Sequence, residues 1–144
     1  DKFRKKNNIN NRFNKSNIIF NNVAIINFIK NLKKNYDFIL VSVISPLRAT
    51  RSVAKNNFKD RYFEVYVKCN KKTLVKRDTK GLYKLALKKK IKNLIGFNSK
   101  IKYEKSFYKT IMIDTDKLSI QESVKKILIE IKKSQLFKSI KINY

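Results

Sequence analysis

Apolar positions along the chain alternate between a helical spacing and short unbroken runs, and the changes of spacing mark its elements. The first eighteen residues are polar and rich in Asn, which predicts a loop. Ile19, Val23, Ile26 and Ile29 to Leu32 then recur every three to four positions and predict a helix over about 19–35. Residues 38–44, Phe-Ile-Leu-Val-Ser-Val-Ile, form a run rich in β-branched side chains and too short for a helix. That is the pattern of a strand covered on both faces. After Pro46 a short helix through Ala54 is expected, because proline fits a first helical turn. A second strand is predicted over 63–67, and a basic helix over 81–92 with Leu82, Leu85 and Ala86 on its apolar side. A third strand is predicted over 111–113. Ser119-Ile120-Gln121-Glu122 has the form of a capping box, in which the hydroxyl and the carboxylate each accept a backbone N–H of the other residue. Val124, Ile127, Leu128 and Ile131 follow as the stripe of an amphipathic C-terminal helix.

Strands that alternate with helices imply right-handed crossovers, a parallel sheet and an α/β layered fold. With 144 residues, 42% of them hydrophobic, and neither a repeat nor a linker, the chain reads as one domain over 1–144. The formal charge of +26 has two readings. Such an excess of Lys attracts polyanions, nucleic acid or an anionic surface. It also accompanies abundant Asn and Ile, whose codons, like those of Lys, are A/T-rich, and the charges are scattered, as on solvated faces. The second reading makes nucleic acid an unlikely partner. No apolar run approaches the ~18 residues of a membrane span, and no signal peptide opens the chain, so no membrane role and a cytoplasmic location are expected. Cys69 stands alone and His is absent, which excludes an internal disulfide, a His-bearing zinc site and a His-based triad. Phosphoryl transfer can proceed without His.

Three separated motifs carry more specific chemistry. Ile44-Ser45-Pro46-Leu47-Arg48-Ala49-Thr50-Arg51 follows the first predicted strand, at the carboxyl end where ligands of open parallel sheets bind. A strand-to-helix turn capped by Ser45 accounts for its Ser and Pro but not for both arginines. Lys76-Arg77-Asp78-Thr79-Lys80-Gly81-Leu82-Tyr83-Lys84 sets three cations before a glycine that can turn the backbone; its bland reading is a basic surface helix. Asp114-Thr115-Asp116-Lys117-Leu118-Ser119 closes the last strand and starts the final helix. In this order, and with Asp1-Lys2-Phe3-Arg4 at the start, they resemble the adenylylsulfate kinase family from Asp1 to about Leu128.

The resemblance implies an α/β P-loop kinase-like fold, a three-layer parallel sheet, here N-terminally truncated. The strand leading into the nucleotide loop would be the middle one of five, and the three strands of this chain would be the third, fourth and fifth. The Gly-rich loop ending in Gly-Lys-Ser/Thr is expected roughly 30 residues ahead of Asp1. If that strand is missing, the run at 38–44 faces a gap whose ladder groups lack partners. Within the domain, 1–36 would be a substrate-binding segment and helix, 37–75 the core strands, 76–105 the lid, and 106–144 the last strand and C-terminal helix.

The implied reaction moves the γ-phosphoryl group of ATP to the 3′-hydroxyl of adenylyl sulfate, with Mg2+ bridging the ATP phosphates. Asp1, Ser45 and Lys80 are the candidate catalytic residues. Asp1 matches the family's aspartate near the attacking hydroxyl, and Arg4 the arginine on the phosphosulfate. As a bare tetrapeptide these are equally solvated terminal residues. Phe13 falls at the aromatic that stacks on adenine, or is a staple on the next helix; Asn21 falls at an amide near the nucleotide, or is a surface position. Ile44, Arg48, Lys80 and Leu82 complete the substrate set, and Arg77 with Lys80 would neutralise nucleotide phosphates. No residue is assigned to a metal. Four departures accompany the match. Ile18 stands at a family arginine, Thr50 at an acidic residue, Ile91-Lys92-Asn93-Leu94-Ile95-Gly96 lacks the Phe and Thr of its counterpart, and Lys100-Ile101-Lys102 stands where Pro-Tyr-Glu is usual. A homodimer, or fusion to or association with a sulfate adenylyltransferase, is the implied assembly. A non-catalytic or regulatory remnant that still binds adenylyl sulfate, and a basic nucleic-acid module, are the other readings.

Overall fold

A computed structural model describes residues 3, 14–32 and 36–134. Helix α1 (Lys15–Leu32) starts four residues earlier than its apolar spacing predicts, because Asn14 accepts the Asn17 N–H at 2.8 Å. An asparagine cap supplies a partner that the first orphan donors need, and Ile18 in this turn is buried, so the polar stretch is helical from Lys15 on. Helix α2 (Arg48–Phe58) lies against α1 and ends at Lys59, whose φ of 50° turns the chain into a 3-10 turn (Lys59–Arg61). Leu47 is its N-cap residue and makes no side-chain cap bond, so Ser45 does not cap it.

Strands β1 (Glu64–Lys68) and β2 (Thr110–Asp114) pair in parallel, with Val65 opposite Ile111 and Val67 opposite Ile113. Both occur where the apolar runs predict them, and β2 alternates as a strand with one covered face should: Ile111 and Ile113 are buried while Met112 is exposed. Between them come α3 (Lys71–Arg77) and α4 (Leu82–Leu87). Helix α3 is not visible in the apolar pattern, since only Leu74 and Val75 interrupt its basic sequence. It is started by Asn70, whose side chain accepts the Thr73 N–H at 2.8 Å.

Helix α4 is half the length that the pattern over 81–92 suggests. Lys89 takes a left-handed φ of 58°, and the N–H groups of Lys90 and Lys89 donate to the carbonyls of Leu85 and Ala86 at 2.9 and 3.0 Å. These are the two bonds of a Schellman closure, which usually has glycine where this chain has lysine. Helix α5 (Ile120–Lys132) lies against β2. Its capping box forms as read: Ser119 Oγ accepts the Glu122 N–H at 3.2 Å, and the Glu122 carboxylate accepts the Ser119 N–H at 2.8 Å.

The apolar run at 38–44 corrects the expectation of a strand there, the first of the three predicted. It has no strand assignment, and Phe38, Leu40, Val41, Val43 and Ile44 are all exposed, Leu40 to 94%. Among the described residues no strand lies beside it, and a ladder needs a neighbour for each N–H and C=O. The main apolar cluster lies elsewhere, where Ile18 of α1, Leu47 and Ile95 are buried together with Ile101 packed against them.

Candidate functional site

The candidate residues gather at two places. The first is the turn that carries the unpaired run into α2. Ser45 Oγ lies 3.1 Å from Thr50 Oγ1, and the Asn22 amide donates to Ser45 at 3.3 Å and to Thr50 at 3.5 Å. Thr50 in turn donates to the Leu47 carbonyl at 2.9 Å, which fixes its hydroxyl against the turn. Arg51 fills the space under this turn. One nitrogen donates to the Ser45 and Pro46 carbonyls at 2.8 and 3.0 Å, the other to the Glu104 carbonyl, and its Nε forms an ion pair with Glu64 at 3.2 Å.

Glu64 is a hub in its own right. It accepts from Tyr62 (3.3 Å), Ser106 (3.0 Å) and Thr110 (3.2 Å). Burial, followed by the Glu64 charge, pushes the Tyr62 hydroxyl far above the usual phenol range. Arg51 thus ties the turn to the first strand, a structural task that the reading of the turn from Ser and Pro alone leaves out. Arg48 lies above it with its guanidinium 4.0 Å from the centre of the Phe107 ring, and its N–H donates to the Glu104 carboxylate at 2.6 Å. Glu104 was not among the predicted residues. The signal was present as Tyr103-Glu104, two positions beyond the 100–102 segment set against the family's Pro-Tyr-Glu.

The second place is the carboxyl end of the strand pair. Thr115, just past β2, donates through its N–H and hydroxyl to the Lys68 carbonyl at 2.9 and 3.0 Å. Arg77 donates to the Thr115 hydroxyl at 3.1 Å and to its carbonyl at 2.7 Å. The Asp116 carboxylate accepts the Asn70 N–H at 2.7 Å and lies 3.6 Å from Cys69 Sγ. Hydrogen bonds, first from the Thr73 hydroxyl, hold the pKa of its carboxyl below the usual carboxylate range.

Asp78 accepts the Lys84 N–H at 2.8 Å, and the Gly81 N–H returns to the Asp78 carbonyl at 3.1 Å with a left-handed φ of 68°. A side chain at Gly81 would be strained there. This geometry shapes a hollow of about 230 Å3 lined by Leu74, Arg77, Asp78, Thr79, Lys80, Leu82 and Tyr83. Arg77 and Lys80 line it together with Asp78 and the apolar Leu74, Leu82 and Tyr83, a mix that suits a polar group attached to a flat or apolar body. Tyr83 and Leu74 were not predicted as lining. Tyr83 was legible within Gly-Leu-Tyr-Lys; Leu74 belongs to the helix that the pattern missed.

The structure therefore brings Arg77, Lys80 and Leu82 to one hollow, and Ser45 and Arg48 to one turn, with Ile44 exposed at the end of the unpaired run. Asn21 lies on α1 next to Asn22, its Oδ1 buried without a hydrogen-bond partner. Asn22, which no motif marked, is the amide that reaches Ser45. Asp1, Arg4 and Phe13 lie outside the described residues. Among the described residues no group of three or more His, Cys, Asp or Glu side chains could hold a metal ion. Asp114 pairs with Lys68 at 3.3 Å and Asp116 is occupied as above, so these residues do not build a Mg2+ site of their own. No helix among the described residues is long and apolar enough to cross a membrane.

Parallel strands joined through helices, with a glycine-hinged basic segment over their carboxyl ends, define a P-loop kinase-like α/β protein. The chain belongs to the adenylylsulphate kinase family, whose model matches residues 1–114. It is 36% identical over 96 residues to a probable adenylyl-sulfate kinase of Archaeoglobus fulgidus, covering 67% of this chain and 60% of that one. It is 41% identical over 85 residues to a probable adenylyl-sulfate kinase of Halalkalibacterium halodurans, covering 58% and 41%. The adenylyl-sulfate kinase of Thermodesulfovibrio yellowstonii is 41% identical over 95 residues, covering 65% and 46%. The chain spans about half the length of these curated relatives.

Proposed function

We propose that this chain is the substrate-and-lid part of an adenylylsulfate kinase acting in sulfate assimilation in the cytoplasm. The reaction transfers the γ-phosphoryl group of ATP to the 3′-hydroxyl of adenylyl sulfate. The O3′–P bond forms, the bond from the γ-phosphorus to the oxygen bridging to ADP breaks, and the hydroxyl proton leaves to a carboxylate. The observation that supports this reading best is the hollow that gathers Arg77, Lys80 and Leu82 beside the carboxyl ends of two parallel strands. In it Arg77 and Lys80 offset charge on the phosphate oxygens, and Gly81 lets the lid turn. Asp1 takes the hydroxyl proton, Arg4 holds the phosphosulfate, Phe13 and Asn21 hold the adenine side, and Ile44, Ser45, Arg48 and Leu82 line the acceptor nucleotide. The family normally uses ATP with Mg2+; assembly as a homodimer or with a sulfate adenylyltransferase fits the same reading.

The two glycines, Gly81 and Gly96, cannot form a Gly-x-x-x-x-Gly-Lys-Ser/Thr loop. The 144 residues by themselves are accordingly expected to show no turnover of ATP with adenylyl sulfate. A fusion in which the N-terminal segment of the Archaeoglobus relative precedes Asp1 should form 3′-phosphoadenylyl sulfate. In it Lys80→Ala should lower turnover by about tenfold or more, while Lys88→Ala leaves it unchanged. Equal effects of the two changes reject the lid assignment. A second reading, a non-catalytic module that binds adenylyl sulfate, is favoured by Ile18, which is buried in the core where the family carries an arginine. An inactive fusion that still binds adenylyl sulfate saturably would select it.

A further inference from the structure

We infer that the strap over residues 100–109 is an interaction surface for a single-stranded nucleic acid, with its lysines on the phosphates and its exposed rings against the bases. This does not depend on the reaction proposed above.

The strap leads into β2 without a helix or strand of its own, yet it is pinned along its length. Ile101 packs on the cluster of Ile18, Leu47 and Ile95. The Glu104 N–H donates to the Pro46 carbonyl at 2.9 Å, the Glu104 carbonyl accepts from Arg51, and the Ser106 hydroxyl donates to Glu64 at 3.0 Å. The residues that flank these pins, Lys100, Lys102, Tyr103, Lys105, Phe107 and Lys109, are exposed. Their backbone is thus fixed before any partner arrives, which lowers the ordering cost of binding.

Charge is gathered in this part of the chain. Between Asp78 and Asp114 stand ten lysines and one acid, Glu104, against 36 basic and 10 acidic residues in the whole sequence. The even scatter read from the sequence therefore does not hold here. The Glu104 carboxylate is engaged by the Arg48 N–H at 2.6 Å. Lys109 pairs with Glu130 at 3.4 Å, while Lys100, Lys102 and Lys105 form no ion pair among the described residues. Unpaired cations in a row release counterions from a phosphate chain.

Charge alone would serve any polyanion, and the rings narrow the choice. Phe107 is 75% exposed, and the Arg48 guanidinium lies 4.0 Å from its ring centre. Tyr103 is 41% exposed and meets Tyr66 at a ring-centre distance of 5.7 Å. Exposed rings among cations form a stacking platform for unpaired bases, whose flat faces are free; in a duplex those faces are covered by neighbouring bases. An anionic bilayer calls instead for an amphipathic helix, which the strap is not. Ten residues extend to at most about 35 Å, which is longer than a mononucleotide and suits several linked ones.

Fluorescence anisotropy of the full chain, with a labelled oligothymidylate of about 20 nucleotides and with a duplex of the same length, tests the inference. The single strand should bind about tenfold or more tighter than the duplex at about 0.15 M salt. Phe107→Leu should weaken single-strand binding by about fivefold to tenfold, and Phe107→Tyr should restore it. Lys100→Gln, Lys102→Gln and Lys105→Gln together should lower the salt slope by about two. Lys117→Gln, Lys125→Gln and Lys126→Gln, a control set of equal charge at exposed positions on and beside α5, should lower it by less than about 0.5. A duplex that binds as tightly as the single strand, or a control set that costs as much as the strap set, overturns the inference. So does binding to phosphatidylserine vesicles that Phe107→Leu weakens more than it weakens the single strand, which would assign the strap to a membrane surface. Should Phe107→Leu fail to fold, the ratio of single strand to duplex for the unchanged chain still decides. The proposed kinase reaction stands or falls separately, by the turnover of the fusion.

Discussion

Residues 38–44 and strand β2 are both short apolar runs with β-branched residues, and they have opposite fates. Ile113 is 1% exposed and paired to Val67, whereas Leu40 is 94% exposed and lies in no ladder. The difference is not one of propensity. Strand β2 has β1 on one side and α5 over its face, while the run at 38–44 has no strand beside it among the described residues. A strand is thus a property of a pair, because extended backbone leaves every N–H and C=O to be satisfied by another segment.

What links the two regions is Arg51, which holds the carbonyls that end the unpaired run and also the Glu64 carboxylate at the start of β1. Its removal should have the largest effect on the comparison. Arg51→Ala leaves the Glu64 charge buried without its cation and should cost about 3–5 kcal/mol in urea denaturation, while Arg48→Ala costs less than ~1 kcal/mol. If the two cost the same, the strut is not what joins the turn to the sheet. The strands themselves should differ next. Ile113→Ala is expected to cost about 2–5 kcal/mol and Leu40→Ala to fall within ~0.5 kcal/mol of zero. A loss above ~1 kcal/mol at Leu40 would mean that the run at 38–44 is covered in solution.

The smallest expected effect concerns how a helix ends when no partner stops it. Lys89→Gly removes a side chain from a left-handed residue within a formed Schellman closure and should stabilise the chain by about 0.5–1 kcal/mol, read from the same denaturation midpoints. A loss of stability instead would show that Lys89 makes a contact worth more than the backbone strain it carries.

Much of the site was legible because its motifs are local. Arg77-Asp78-Thr79-Lys80-Gly81-Leu82-Tyr83 is contiguous, and a single glycine-hinged turn carries its cations to one hollow. Asn22 and Glu104 were not legible in the same way. Each acts through a partner 23 or 56 residues distant, Ser45 in one case and Arg48 in the other, and nothing in the spacing of apolar residues reports such a meeting. Arg51 was visible within its motif, but its task was not, since four of its partners come from the turn, β1 and the loop before β2.

By itself the sequence determined the helices that carry their own start signals, α5 with its capping box above all, the apolar runs that can become strands, the family, and the composition of the basic segment around Gly81. Those depend on neighbours within a few positions, where side-chain caps and helical spacing act. Tertiary structure alone decided which apolar runs become strands and that Ile18 meets Ile95. Pairing and burial are relations between segments far apart in the chain, and their free energy belongs to the contact and not to either residue.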